Sequence, residues 1–234
     1  MSKRTTDGPD ELERALRRGR AYAHGEHLDA RAARGAGKGK RNGRSVPQGD
    51  AADAAARRLT GRIAAEGLAE VSYAPADSPF GTLLLAATKR GLVRVAFPEE
   101  SVDATLERLA VRISPRIVEA PGPLDDMRRE LDEYFDGRRR QFELPLDWTL
   151  VGPFGRRVLD VASEIPYGGV LSYAEVAAEA GSPRGSRAAG NALGANPIPI
   201  VVPCHRVLRS GGTLGGYGGG LARKQFLLEL EGAL

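Results

Sequence analysis

The sequence predicts an α+β protein: a small α/β domain followed by a mostly helical domain, with a basic tail of no evident core in front of both. Three observations predict this. Residues 1–58 carry 14 Lys/Arg against 8 Asp/Glu and almost no periodic large apolar residues. Residues 59–148 mix apolar runs with helical periodicity and carry 12 basic against 16 acidic groups, whereas residues 149–234, with 8 against 6, hold a succession of short helical patterns. A chain of 234 residues can bury the core that one large or two small domains need. Two domains are expected, at 59–148 and 149–234.

In the tail, "RAARGAGKGKRNGRSVPQGD" cannot bury enough surface to offset the entropy of ordering and reads as disordered. Its charge offers two readings, a solvated segment or an arm with non-specific affinity for phosphate. "AADAAARRLTGRIAAEG" follows as a short helix.

The first domain opens with "GTLLLAATKRGLVRVAF", two apolar runs around a Lys-Arg-Gly turn, which predicts a β-hairpin. "SVDATLERLAVRI" and "PLDDMRRELDEYFDG" have helical periodicity, the second with Leu124, Met127, Leu131 and Tyr134 on one face and Gly137 as its stop. No catalytic constellation is expected in this domain.

In the second domain, "FGRRVLDVASEI" places Val158, Val161, Ala162 and Ile165 on one stripe. In "SYAEVAAEAG" Ser172 and Glu175 have the spacing of a capping box and Gly181 that of a stop. "SPRGSRAAGNALGANP" restarts at once, with Ser182 expected as N-cap and Pro183 at the first helical position. Two short helices and one tight turn have helix-turn-helix spacing, and an ordinary helical hairpin shares it. Arg184 and Arg187 among small residues favour a helix that faces DNA over one that faces a core.

Cys204, the single cysteine, lies in "NPIPIVVPCHRV". One cysteine excludes an intramolecular disulfide, no signal segment follows Met1, and runs such as "LLLAA" are too short to span a bilayer. A soluble protein of the reducing cytoplasm is expected. A lone cysteine in an apolar run is often an inert small hydrophobe. Against that, Pro197, Pro199 and Pro203 exclude a regular strand or helix, and His205 and Arg206 follow directly. Adjacent residues of an extended segment point to opposite sides, so His205 needs a bridging water or a local bend to act on the thiol. An imidazole within reach would raise the reactive thiolate fraction, and Glu231 in "LARKQFLLELEG" is a candidate to fix its tautomer. One cysteine and three histidines, two of them at His24 and His27 in the tail, make no zinc ligand set, and no metal or cofactor is expected.

"PCHRV", with "NPIPI" before it and "GGYGGGLARKQFLLELEG" after it, resembles the active-site region of the O6-alkylguanine-DNA alkyltransferases, also called methylated-DNA–protein-cysteine methyltransferases. The similarity extends through "YFDGRRRQFELPLDW" and "IPYGGVLSYAEVA", and more faintly back to about Val71; the tail is not covered. It implies a ribonuclease H-like first domain, a winged helix-turn-helix second domain, and a monomer that acts on double-stranded DNA carrying O6-alkylguanine, together with O4-alkylthymine. Such proteins flip the damaged base out of the duplex and transfer its alkyl group irreversibly to their own cysteine.

By this resemblance Cys204 is the nucleophile, His205 the water-linked base, Glu231 its orienting group, and Asn196 the tie between the loop and the two helices. Tyr217 would donate toward guanine N3. The carbonyls of Cys204 and Val207 would accept from the exocyclic amine and the amide of Gly218 would meet the guanine oxygen, with Pro199 also in the substrate-binding set. Tyr173 would crowd the phosphate and Arg187 fill the vacated stack, with Arg184 and Ser182 completing the DNA-binding set. Three departures from the family pattern stand out: Gly218 where Ser is frequent, a neutral "LGAN" where a basic residue often precedes the Asn, and Gly185-Ser186 where Ala is usual.

The main rival is a non-catalytic binder of alkylated DNA or a helix-turn-helix regulator, but relatives of that kind lack the cysteine that this chain has. A combined repair protein and regulator would need a zinc-binding cysteine cluster in the tail, and the tail has no cysteine. A thiol hydrolase would need an acyl-substrate groove, which the Gly-rich "SGGTLGGYGGG" does not suggest.

Overall fold

The fold was described from a computed structural model, which describes residues 68–234 together with Arg58, Arg62, Ile63 and Glu66. The basic tail, and most of the short helix expected after it, lie outside the described residues; Arg58, Arg62 and Ile63 are helical.

The first half is built on the expected hairpin. Strands β2 (Leu83–Thr88) and β3 (Gly91–Ala96) run antiparallel, and β1 (Val71–Ala76) and β4 (Ile117–Glu119) extend the sheet in the order β3-β2-β1-β4, with β4 parallel to β1. Gly91, at φ 129°, is needed where it stands, because a Cβ there would lie 2.0 Å from the carbonyl oxygen of Pro145. Side-chain alternation gives the sheet two apolar faces. Val71, Ala86 and Val93 pack with Leu109 of α1 (Val102–Arg112), which Ser101 caps. Leu83, Leu85 and Val95 face the other way, toward Met127, Leu131 and Tyr134 of α2 (Asp125–Phe135), the stripe that the periodicity predicts.

The second half has α3 (Pro153–Glu164), α4 (Tyr173–Glu179), α5 (Ser186–Gly194) and α6 (Leu221–Leu230); its other regular structure is short, including the parallel pair β5 (Leu171–Ser172) and β6 (Val207–Leu208). The capping box of Ser172 and Glu175 forms on α4, and Gly181, at φ 79°, follows its end. Ser182 is not the N-cap of the next helix. The amide of Gly185 donates to the carbonyl of Ser182 at 2.7 Å, closing a turn with Pro183 inside it, so α5 begins only at Ser186 and Arg184 sits in the turn. Of the two expected helix arginines, only Arg187 is in the helix.

One apolar core runs through both halves, joining Leu85, Val95, Leu131 and Tyr134 to Val158, Leu159, Val176 and Ile198. The join is also made by backbone: the amide of Val95 on edge strand β3 donates to the carbonyl of Pro197 at 2.9 Å. The sheet therefore holds one end of the loop that carries Cys204. Among the described residues no helix is long and apolar enough to cross a membrane.

Candidate active site

Residues 195–208 leave α5 and reach β6 by an irregular path that the three prolines enforce. Ile200, fully buried, takes φ 74°, a left-handed conformation that costs a β-branched residue roughly 1–3 kcal/mol and persists where packing over-determines it. Asn196 holds the loop in shape. Its Nδ2 donates to the Val202 carbonyl at 2.9 Å and to the Cys204 sulfur at 3.1 Å, and its Oδ1 accepts from the Ile198 amide at 2.9 Å.

The chain then bends rather than extends: Cys204–Arg206 form one 3₁₀ turn. The Cys-His pair therefore sits in a local bend, without a hydrogen bond from His205 Nδ1 to the sulfur. The bend turns His205 and Arg206 into the protein, where both meet Glu231 at the end of α6. His205 Nε2 lies 2.9 Å from Glu231 Oε1, while Arg206 donates from Nε to Oε2 at 2.7 Å and from Nη2 to Oε1 at 2.9 Å. The Tyr134 hydroxyl donates to Oε1 at 2.7 Å.

Burial alone would raise the Glu231 carboxyl, but its bonds to His205 and Arg206 outweigh burial and hold it at about 2. An ionised Glu231 fixes the imidazole tautomer, with Nε2 as donor and Nδ1 as a bare acceptor. Burial lowers the His205 pKa more than Glu231 raises it, so the ring is neutral near pH 7. Nδ1 is buried with no hydrogen-bond partner.

Burial likewise pushes the Cys204 thiol up to about 11, against the opposing influence of Asn196 and the charge of Lys224. Lys224 is itself fully buried, and burial brings its ammonium down to about 8 despite the pull of Cys204. Its Nζ donates to the Val207 carbonyl at 2.5 Å. A thiol with a raised pKa beside a neutral imidazole keeps its proton until a reaction draws it off.

In front of the sulfur lies a cavity of about 200 Å³, lined among others by Cys204, Asn196, Pro199, Tyr217 and Gly218 from the helical half and by Arg94 of β3 with Phe97 and Glu100 just after it. The Tyr217 hydroxyl is buried and unpartnered, and burial followed by the nearby Cys204 raises its pKa well above the ordinary value, so it is a donor without an acceptor. The Val207 and Cys204 carbonyls already accept from Lys224 and from the Val207 amide, and each retains a second lone pair.

The structure thus brings together Cys204, Asn196, Pro199, Tyr217 and Gly218 at the cavity, with His205, Glu231 and Val207 behind or beside them. The remaining candidates lie on the outer face. Tyr173, half-buried, donates its hydroxyl to the Gly216 carbonyl at 3.0 Å, Arg187 and Arg184 are exposed, and Ser182 is half-buried in the turn. Among the described residues no group of three His, Cys, Asp or Glu could hold a metal ion.

Several site residues escaped the sequence analysis. Lys224 had a legible signal, since it shares one helical face with Leu227, Leu228 and Glu231, and a lysine inside an apolar stripe needs a reason. Tyr134 had none, because its hydroxyl is only one end of a residue that fits a core stripe. Tyr134 at Glu231 and Phe97 at the cavity are contributions of the first domain to the site, although no catalytic constellation was expected there.

The family described as 6-O-methylguanine DNA methyltransferase matches this chain twice, its ribonuclease-like domain over residues 71–148 and its DNA binding domain over residues 153–233. A methylated-DNA–protein-cysteine methyltransferase of Mycolicibacterium paratuberculosis is 43% identical over 161 residues, 69% of this chain and 92% of the relative. The chain belongs to the methylated-DNA–protein-cysteine methyltransferase family. A member from Methanosarcina acetivorans is 38% identical over 163 residues, 69% of this chain and 98% of its own length. The crystal structure of Mycobacterium tuberculosis OGT in complex with DNA is 38% identical, covers 69% of this chain and 92% of its own, and superposes with a TM-score of 0.60. The mixed α+β, two-domain architecture of this family is the one described above.

Proposed function

We propose that this protein repairs double-stranded DNA by transferring the alkyl group of O6-alkylguanine, and of O4-alkylthymine, to Cys204 once and irreversibly. The observation that carries the reading is two buried groups without partners in the region of the thiol: His205 Nδ1, an acceptor on the residue that follows Cys204, and the Tyr217 hydroxyl, a donor on a residue that lines the same cavity as Cys204. The thiol proton passes to Nδ1 through a water, and Glu231 stabilises the imidazolium that forms. The sulfur attacks the alkyl carbon, an S–C bond forms as the C–O6 bond breaks, and the electron pair leaves on the guanine. Tyr217 stabilises the leaving base by donating toward N3, the amide of Gly218 meets the oxygen, and the carbonyls of Cys204 and Val207 hold the exocyclic amine. Pro199 supplies an apolar wall.

In the same reading α4 and α5 act as a helix-turn-helix of the winged type, within domains divided at about residue 149. Tyr173 presses on the phosphate and Arg187 fills the stack that the flipped base leaves. Ser182 and Arg184, in the turn, contact the backbone. The protein works as a monomer in the cytoplasm, where the thiol that transfer consumes stays reduced.

A purely binding or regulatory role would leave the His205–Glu231–Arg206 network behind Cys204 without a task. The test is stoichiometry: conversion of O6-methylguanine to guanine within a duplex reaches one equivalent per protein and stops, and Cys204→Ala converts none. Conversion that continues past one equivalent refutes single use, because a thioether on the chain's single cysteine has no second thiol to resolve it.

A further inference from the structure

We infer that Phe97, supplied to the cavity by the sheet domain, sets the largest alkyl group that the protein accepts. This assignment rests on the repair reading and concerns only its substrate range. The cavity walls from the helical half combine groups committed to chemistry or to the base, Cys204, Asn196, Tyr217 and the backbone of Gly218, with Leu193, Pro199 and the small residues Gly194, Ala195 and Gly219. The sheet side contributes Arg94, Glu100 and one bulky apolar group, the ring of Phe97, which is 7% exposed.

That ring is held from several sides. It meets Tyr217 edge-on at 6.2 Å between centroids and Phe80 at 6.4 Å. The guanidinium of Arg223 covers its face at 4.7 Å, and the same guanidinium donates to the Gly219 carbonyl at 2.9 Å and pairs with Glu99. The Phe97 amide donates to Glu100 Oε1 at 3.1 Å. There is no slack on the loop side either, since a Cβ on Gly219 would come within 2.6 Å of the Phe97 ring. A substituent too long for the cavity must displace a ring clamped by both domains, and close-packed interiors yield poorly to such a push.

The experiment compares O6-methylguanine and O6-benzylguanine placed in one duplex sequence, so that binding and flipping are shared and only the alkyl group differs. Rate constants are measured for the unaltered protein, Phe97→Leu and Phe97→Trp, each corrected for the fraction that takes up one methyl group. A methylene-sized change of fit in an apolar pocket is worth about 10- to 200-fold. The benzyl-to-methyl ratio is therefore expected to rise at least about tenfold in Phe97→Leu and to fall by a similar factor in Phe97→Trp. A merely structural role would change both rates together and leave the ratio constant, which overturns the assignment. An unaltered protein that takes up neither group overturns the repair reading, and this one with it.

Discussion

Glu231 receives Tyr134, His205 and Arg206 on two oxygens, and the state of this one carboxylate governs the tautomer of the His205 imidazole. Its folded-state value of about 2 lies below the ordinary 4.5, so the folded protein binds that proton less well than the unfolded chain does. Its stabilisation is complete above about 4.5 and is lost as the pH falls toward 2, a contribution on the order of 3 kcal/mol. Urea unfolding should show stability falling across this range, and Glu231→Gln, less stable at neutral pH, should flatten the fall; a mutant curve parallel to the parent's would count against the assignment. Lys224 makes a second residue-level prediction. Its charge opposes the burial that raises Cys204, so Lys224→Met should raise the thiol pKa, slow the reaction with free O6-benzylguanine about tenfold near pH 7, and move the pH–rate profile to higher pH, as one unit of pKa is a factor of ten in thiolate. An unshifted profile would remove Lys224 from that role. Cys204, His205 and Glu231 were legible in the sequence because their chemistry is local: a thiol, an imidazole beside it and a carboxylate on the closing helix. Tyr134 and Phe97 were not legible, since they reach the site through a contact between domains, whereas Lys224 was marked by its place on the apolar stripe of Leu227 and Leu228 and only its partners needed the assembled fold.

At the scale of elements, periodicity and end signals foretold the hairpin, α2 and the capped start of α4, because each rests on neighbours in sequence. The start of α5 was misplaced by three residues for a related reason. Ser182 and Pro183 satisfy the rules for a helix start, but they serve equally well in a tight turn, and the bond from the Gly185 amide to Ser182 decides for the turn. This sharpens the expected role of Arg187, which stands in the first turn of α5, exposed, while Ala189 and Leu193 face the core. If it fills the stack vacated by the flipped base, Arg187→Ala should slow repair of duplex DNA by at least about tenfold and leave the reaction with free O6-benzylguanine within twofold, since the free base needs no extrusion costing a few kcal/mol. Equal losses on the two substrates would withdraw that role.

At the scale of the whole molecule, the continuous core and the Val95–Pro197 bond make the sheet domain part of the active-site scaffold, which separate readings of the two halves could not reveal. The charge distribution was legible from the start. Residues 1–58 carry six more basic than acidic groups, whereas the remaining chain has 20 basic and 22 acidic groups. If these charges contact phosphate, removing residues 1–58 should weaken binding to damaged and undamaged duplex alike and flatten the dependence of affinity on salt, leaving the reaction with free base unchanged. An identical salt slope would leave the segment without a contact to DNA. The account as a whole depends on where the alkyl group ends. The most direct measurement is peptide mass analysis after incubation with a duplex containing a single O6-methylguanine: one methyl group should be found on the peptide that holds Cys204, at one per chain, with the lesion converted to guanine. A converted lesion with an unmodified Cys204, or a methyl group on any other residue, would contradict it.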